Sequence, residues 1–443
     1  RRIALILVAT LLLTFGLAAC GKQAPTSTTT PSGEPTQKAK QLVAQIGPNP
    51  ETLDPALNSA VDGGNMMLFL FDCLLNIDKD NNLIPGAAED WEVSEDGLTW
   101  TFKLREGLKW SDGSPLTAED FVYSWKRVVD PATAAPYGET VLGMVEGYAE
   151  AAAGNLDALQ VSAPDATTLV VKLAHPCGYF GQLAAFATLS PVNKATIEKN
   201  GEAWATKPET YISNGPFKMA EWVPSSHILL VKNENYRNPE AIKLDSIKLL
   251  LMEDPNASYG AYQTGQAHLI KDVPTEEIPS LRGNPEFYVQ PQLGTYYLSI
   301  NHNLEQFKDV RVRKALSLAI DREYVANTLM QGVYTPAYNF IPPSIVDAEG
   351  NFYDNANGGK PYISSDYEAN LALAKQLLAE AGYPNGEGFP VIEYSTNDSG
   401  YHKVVAEYLQ KAWGELGLTV KVNIVEWASF TPMRRAGDYQ VAR

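Results

Sequence analysis

Between residues 98 and 104, apolar and polar side chains alternate, with Leu98, Trp100, Phe102 and Leu104 in phase. The alternation follows an Asp96-Gly97 turn and predicts a half-buried strand. Leu169, Val171 and Leu173 repeat the pattern, as do Ile228 with Leu230, and Val420 with Val422 and Ile424. Other stretches follow the helical period. Thr117-Ala118-Glu119-Asp120 has the form of a capping box and opens a helix with Phe121, Trp125, Val128 and Val129 on one face, ended by Pro131. Asp309 predicts the cap of a second helix, with Val312, Leu316, Ala319 and Ile320 inside and a stop near Gly332. Ser365 and Glu368 open a third, with Leu371, Ala374, Leu377, Leu378 and Ala381 inside and Gly382 as its C-terminal stop. Residues 402–416 form a fourth, followed by the Val420 strand. This late alternation of helix and strand predicts an α/β fold with an open sheet flanked by helices. Residues 438–443 read as the start of a strand without a polar tail, so the C-terminal part of that domain is expected to be missing.

The first residues depart from these patterns. Arg1 and Arg2 form a basic region, and residues 3–19 are apolar but broken by Thr10, Thr14 and Gly16. The run is short for a permanent span, which needs ~20 residues. A membrane anchor or a buried helix is one reading, and an export signal is the sharper one. Leu17-Ala18-Ala19-Cys20 resembles a bacterial lipobox, in which the Cys20 thiol takes a lipid. Residues 21–39 are rich in Thr, Ser, Pro, Gln and Lys and predict a flexible tether. The expectation is a body held by lipid on the outer face of the cytoplasmic membrane, at a Gram-positive cell surface.

Length and charge narrow the partners. A chain of 443 residues allows two or three domains. With 52 acidic and 35 basic residues the formal net charge is −17, which excludes a nucleic-acid partner. Beyond Cys20, only Cys73 and Cys177 remain, so a disulfide framework is excluded and one bridge is possible. Catalytic signatures are absent: there is no H-E-x-x-H, C-x-x-C, G-x-S-x-G, S-x-x-K, phosphate-binding loop or G-x-G-x-x-G. His175, His227, His268, His302 and His402 are scattered, and pairs such as Glu276-Glu277 arise by chance among so many acids. The chain is expected to be neither an enzyme nor a holder of a metal or cofactor. The aromatic content is the remaining signal, with 22 Tyr and 8 Trp. Trp100 and Trp125 belong in cores, whereas Tyr137, the pair Tyr296-Tyr297 and Trp427 stand beside polar turns, where such rings suit a ligand cleft.

Five separated blocks carry a family resemblance. "LDPAL" from Leu53, "LTWTFKLREGLKWSDGSPLTAEDFVYSWKRVVDP" from Leu98, "SNGPFKMAEW" from Ser213, "VRVRKALSLAIDRE" from Val310 and "AKQLLAEAGY" from Ala374 resemble the family 5 extracellular solute-binding proteins. The oligopeptide-binding receptors of peptide ABC transporters are the nearest group. The resemblance implies a two-lobed, periplasmic-binding-protein-like (type II) fold with an extra insert domain. Residues 40–70 and 190–293 would form one lobe, 71–189 the insert, and 294–443 an incomplete second lobe. It also implies an extended peptide added as a strand between the lobes, with side chains in hydrated pockets and charged groups at its ends.

By motif, Ser59, Ala60 and Val61 would pair with the peptide backbone. Tyr137, Tyr297 and Trp427 would be pocket walls, and Asn397 and His402 polar contacts. Arg434 would be a charged contact and Arg443 the basic group near the peptide's C-terminal carboxylate. Ser59 and Ser299 stand where some relatives carry acids, and the Asp that grips the α-amine would lie just past Arg443. Each residue keeps a plainer alternative: His402 as a helix cap, Tyr297 in a core, Arg434 as a solvated charge equivalent to Arg435, Asn397 in an Asx turn. The implied function is a monomeric receptor that captures short peptides by hinge closure and delivers them to ABC permease subunits driven by a separate ATPase. The alternatives are the same fold with an oligosaccharide, nickel or haem complex, a surface peptide-sensing receptor, and an exported hydrolase.

Overall fold

The structure is a computed structural model that describes residues 39–290, 292–342, 345 and 361–443. The expected export signal, Cys20 and all but the last residue of the tether lie outside the described residues. Residues 39–443 form one compact unit, built around three four-stranded sheets and three apolar cores.

In the first sheet, strand Gln41–Gly47 pairs in parallel with Ser246–Leu251. The latter runs antiparallel to His227–Lys232, which pairs in turn with Phe217–Val223. Burial alternates strictly along Ser246–Leu251, because only one face of the sheet meets the core. That core holds Leu53, Met66, Leu70, Trp204, Ile228, Leu230 and Leu249.

The second sheet is antiparallel throughout, with Ala88–Val93, Thr99–Leu104, Thr168–Lys172 and Val161–Asp165 as neighbours in that order. Trp100, Phe102 and Leu104 turn inward as their alternation predicts and meet Phe121 and Trp125 of helix Ala118–Val129. The capping box at its start is present, with the Asp120 carboxylate accepting the Thr117 backbone N–H at 2.8 Å.

The third sheet joins three parallel strands, Ile392–Asn397, Val420–Val425 and the short Val441–Ala442, with Ser299–Ile300 antiparallel at its edge. Helix Gly400–Gly414 links the first two and buries Leu409 and Trp413 beside Tyr394. Three fully buried tryptophans have their N–H groups satisfied: Trp125 by Leu189 O (3.0 Å), Trp413 by Leu316 O (2.9 Å) and Trp204 by Asp54 Oδ2 (3.1 Å). A buried indole without such a partner would lose its bond to water uncompensated.

Two sequence expectations need correction, and one open question is answered. The helix capped by Asp309 runs only from Val310 to Leu318. Arg322 Nη1 turns back on Ser317 O and Ile320 O, both at 3.0 Å, and Asp321 Oδ1 accepts the Tyr324 N–H at the start of a separate π-helical turn, Tyr324–Leu329, before Gly332. The next helix, Tyr367–Glu380, is capped by Asp366 rather than Ser365. The Cys73–Cys177 bridge is not formed, and both thiols are buried and free. Among the described residues no helix is long and apolar enough to cross a membrane.

Candidate ligand-binding cleft

Parallel strands expose their carboxyl ends along one edge, and ligand-handling residues collect there. The third sheet places Asn397, Trp427 and Arg443 at or just past such ends. On the first sheet, Gly47 and Glu253 occupy the equivalent positions. The two edges face each other, and side chains from one reach the other.

On the first-sheet side, the loop before helix Val61–Leu70 is pinned from below. Asp54 accepts two hydrogen bonds from the Arg127 guanidinium, at 2.9 and 2.5 Å. It also accepts Trp204 Nε1–H and the Ala56 N–H. Tyr211 donates to Leu53 O at 2.7 Å. Asn58 folds onto Ala60 O at 2.9 Å and lies so close to the helix that a Cβ at Gly63 would sit 2.2 Å from its Oδ1. Only glycine fits there. The result is a rigid platform that presents Ser59 and a largely exposed Val61 at the helix start, with Ala60 buried in extended backbone between them.

On the third-sheet side, Arg443 is the centre. Its Nη1 donates to Asn397 Oδ1 at 2.6 Å, its backbone N–H to Ser395 O at 3.1 Å, and its guanidinium lies 5.2 Å from the centre of the Trp427 ring. Burial, with a smaller contribution from Arg434, lowers its pKa, while the nearby tyrosines act in the opposite sense. His402 stands close by, with Nδ1 3.1 Å from the Tyr296 hydroxyl. Burial, together with Arg443 and Lys271, pushes the His402 imidazole down to about 3, so it is neutral at any ordinary pH. Burial also holds the Tyr296 phenol well above its usual value. The Arg443 guanidinium therefore rests against neutral hydrogen-bonding groups and an aromatic face, with Arg434 and Lys271 as further cations nearby.

Two contacts tie the sides together. Arg435 reaches across to Ser59 Oγ at 2.8 Å and to the Glu51 carboxylate. The Tyr401 hydroxyl accepts the Val273 N–H at 3.2 Å and donates to Val273 O.

The structure thus brings Asn397, His402, Trp427, Arg434 and Arg443 together, with Ser59, Ala60 and Val61 on the opposite side. Arg434 donates to the Arg443 backbone carbonyl at 3.1 Å, whereas its neighbour Arg435 makes the crossing contact. Of the tyrosine pair, Tyr296 joins the cluster, and Tyr297 packs edge-on against Phe340 at 5.3 Å. Tyr137 packs edge-on against Phe186 at 5.5 Å, over the second core. Sequence reasoning missed Asp62, Glu253, Lys271, Tyr401 and Arg435. Three of these adjoin residues that were singled out, since Asp62 follows Val61, Tyr401 precedes His402 and Arg435 follows Arg434.

Buried polar atoms without a hydrogen-bond partner concentrate here. Asp62 Oδ2, Glu253 Oε2, Tyr394 OH, Thr396 Oγ1 and Trp427 Nε1 are five of the seven such side-chain atoms among the described residues. Folded proteins seldom leave such groups bare, and a cleft that binds something polar is a standard reason for it. No three His, Cys, Asp or Glu side chains among the described residues converge as a metal site would require.

Known proteins share this architecture. The family model for bacterial extracellular solute-binding proteins, family 5, matches residues 82–443. The periplasmic oligopeptide-binding protein OppA of Escherichia coli is 35% identical over 93% of this chain and 76% of its own length. The probable deoxycholate-binding periplasmic protein YgiS of the same organism is 34% identical over 89% of this chain and 73% of its own length. The Haemophilus influenzae OppA complex with RPPGFSPFR superposes with a TM-score of 0.84 at 33% identity, covering 92% of this chain and 80% of that one. The Escherichia coli murein tripeptide-binding protein MppA superposes with a TM-score of 0.85 at 32% identity, covering 92% and 79%. The unliganded open form of MppA reaches only 0.58 at the same identity, covering 93% and 79%. The two sides of the cleft are therefore arranged here as in the former structure and as in the peptide complex, not as in the open form. Fold, sequence and cleft agree: the chain belongs to the bacterial extracellular solute-binding proteins, family 5.

Proposed function

We propose that the chain is an extracytoplasmic receptor for short oligopeptides, captured by hinge closure and delivered to an ABC permease with a separate ATPase. The observation that carries this reading is Arg443. It is a partly buried guanidinium held by a neutral amide and an aromatic face, with N–H donors left for an anion. A peptide's terminal carboxylate meets that need, and the neutral groups around it suit backbone amides. OppA of Escherichia coli by its name, and OppA of Haemophilus influenzae by its bound peptide, support the ligand class.

In this reading Ser59, Ala60 and Val61 receive peptide backbone, Asn397 and His402 make neutral polar contacts, and Trp427 walls a pocket. Arg434 acts indirectly, by holding the Arg443 backbone. Tyr137 and Tyr297 are more distant wall residues. Residues 40–70 with 190–293 form one lobe, 294–443 belong to the other, and 71–189 form the insert. The receptor is monomeric, uses no cofactor, performs no catalysis and is tethered through lipid on Cys20.

The similarity to a probable deoxycholate-binding protein favours a second reading, a dedicated non-peptide anion on the same Arg443. Native mass spectrometry of the receptor purified without added ligand separates the two. A ladder of bound masses spaced like amino-acid residues is expected. A single discrete bound mass would overturn the peptide reading and leave the family assignment intact.

A further inference from the structure

Three lobe-to-lobe contacts leave the Arg443 cluster untouched. Arg435, in the last turn of helix Trp427–Ala436, crosses to Ser59 Oγ at 2.8 Å and to the Glu51 carboxylate. Arg435 and Glu51 form no other ion pair among the described residues, and their side chains are only 34% and 24% exposed, so water screens the pair weakly. Tyr401, in the first turn of helix Gly400–Gly414, packs its ring against the third-sheet core. Its hydroxyl crosses to the N–H and C=O of Val273. The third contact is steric. Gly400 lies so close to Pro255, the first residue of helix Pro255–Gln263, that a Cβ would stand 3.2 Å from its Cγ and 3.3 Å from its Cδ.

Each of these contacts exists only while the lobes are shut. Once they part, Arg435, Glu51 and the Val273 main chain return to water, and Gly400 has open space. The contacts therefore carry free energy that depends on closure and not on what the cleft holds. The affinity of a ligand that needs the closed form scales with the population of that form, whatever side chains the ligand brings. Groups that touch the ligand favour one cargo over another, whereas these favour every cargo alike.

Building on the hinge-closure reading above, we propose that Arg435, Glu51, Tyr401 and Gly400 form a clasp. They are positioning residues that set the closing equilibrium and contribute one common factor to the affinity of every ligand. Arg435 and Glu51 supply attraction, Tyr401 fixes how far the lobes close, and the missing side chain at Gly400 lets them approach.

The test is stopped-flow binding of tri-alanine, Ala-Phe-Ala and Ala-Glu-Ala to the full-length receptor, with the ligand-free melting temperature recorded for each variant. Arg435→Gln, Tyr401→Phe and Gly400→Val should each weaken all three peptides by one shared factor, about three- to tenfold, mainly through faster dissociation. The ligand-free melting temperature should stay within about 1 °C of the native value, because the open form lacks these contacts. Arg435→Lys, which keeps the charge, should retain part of the affinity. Arg435→Gln combined with Glu51→Gln should lose little more than Arg435→Gln alone. A factor that differs severalfold among the peptides would put the residue on the ligand and overturn the clasp. So would unchanged affinity in the three variants, or a matching fall in ligand-free stability, the mark of a merely structural role. If the native receptor binds none of the peptides, the peptide reading falls and the clasp is judged alone, by energy transfer between one dye on each lobe. The ligand-free Arg435→Gln receptor should then show a wider mean separation than the native one, and identical distributions overturn the clasp.

Discussion

Asp54 and Asp62 lie in the same short stretch, below and inside the first turn of one helix, and both are buried, at 2% and 5% exposed. Their surroundings are opposite. Asp54 is saturated by Arg127, Trp204 and a backbone N–H. Asp62 keeps an oxygen with no partner, and burial raises its carboxyl above the usual carboxylate range. The two arginines repeat the contrast. Arg127 has a carboxylate that takes two of its hydrogen bonds, whereas Arg443 has an amide and a ring. Burial alone does not distinguish a residue that builds the protein from one that works for it. Saturation of hydrogen bonds does, because only an unsaturated group has capacity to offer a ligand.

The contrast is most easily broken at Asp54. Asp54→Ala strands a largely buried guanidinium, and a loss of about 3–5 kcal/mol in stability is expected by urea unfolding. A loss under about 1 kcal/mol would mean that the platform does not depend on saturation. Arg443→Gln should behave in the opposite way. Stability should change by less than about 1 kcal/mol, while peptide affinity falls about tenfold or more, the usual weight of a hydrogen bond to a charged group. A large stability loss with unchanged affinity would make Arg443 a second Arg127.

The smallest effect sharpens the comparison on the acid side. Burial and its neighbouring acids push Glu253 up to about 7 in the closed form, against 4.5 for a free glutamate. Between those values the folded chain holds a proton that the unfolded chain has lost. Stability therefore falls as pH rises from about 4.5 to about 7, and the loss is complete above that window. Glu253→Gln should raise the melting temperature by about 1–2 °C at pH 8 and leave it unchanged at pH 4.5. A gain of equal size at both pH values would separate Glu253 from any titration in the cleft.

Much of the fold was legible because local chemistry and tertiary packing agree. The alternation at Trp100, Phe102 and Leu104 is the inward face of a strand, and Asp309 caps where its side chain can accept the Arg311 N–H. The break after Leu318 was hidden because Arg322 ends the helix by turning its own side chain back on the main chain, which no apolar period records. In the cleft, Asn397, Trp427 and Arg443 were legible by motif, and parallel strand ends explain why they meet. The Tyr296-Tyr297 pair was legible as a cleft feature, but only the fold decides that Tyr296 meets His402 while Tyr297 packs against Phe340. Asp62 and Glu253 were invisible for a different reason. Their meaning depends on which acids lie across the gap, and among 52 acidic residues no spacing singles out that encounter.

Tyr401 grips both the N–H and the C=O of Val273, so one lobe holds the other by its main chain rather than by a side chain. Every amino acid except proline supplies the same two groups. Position 273 is thus free to drift over evolutionary time without loosening the grip, while position 401 is not. A lineage could remodel the rim of its cleft for new cargo and inherit the way it shuts unchanged.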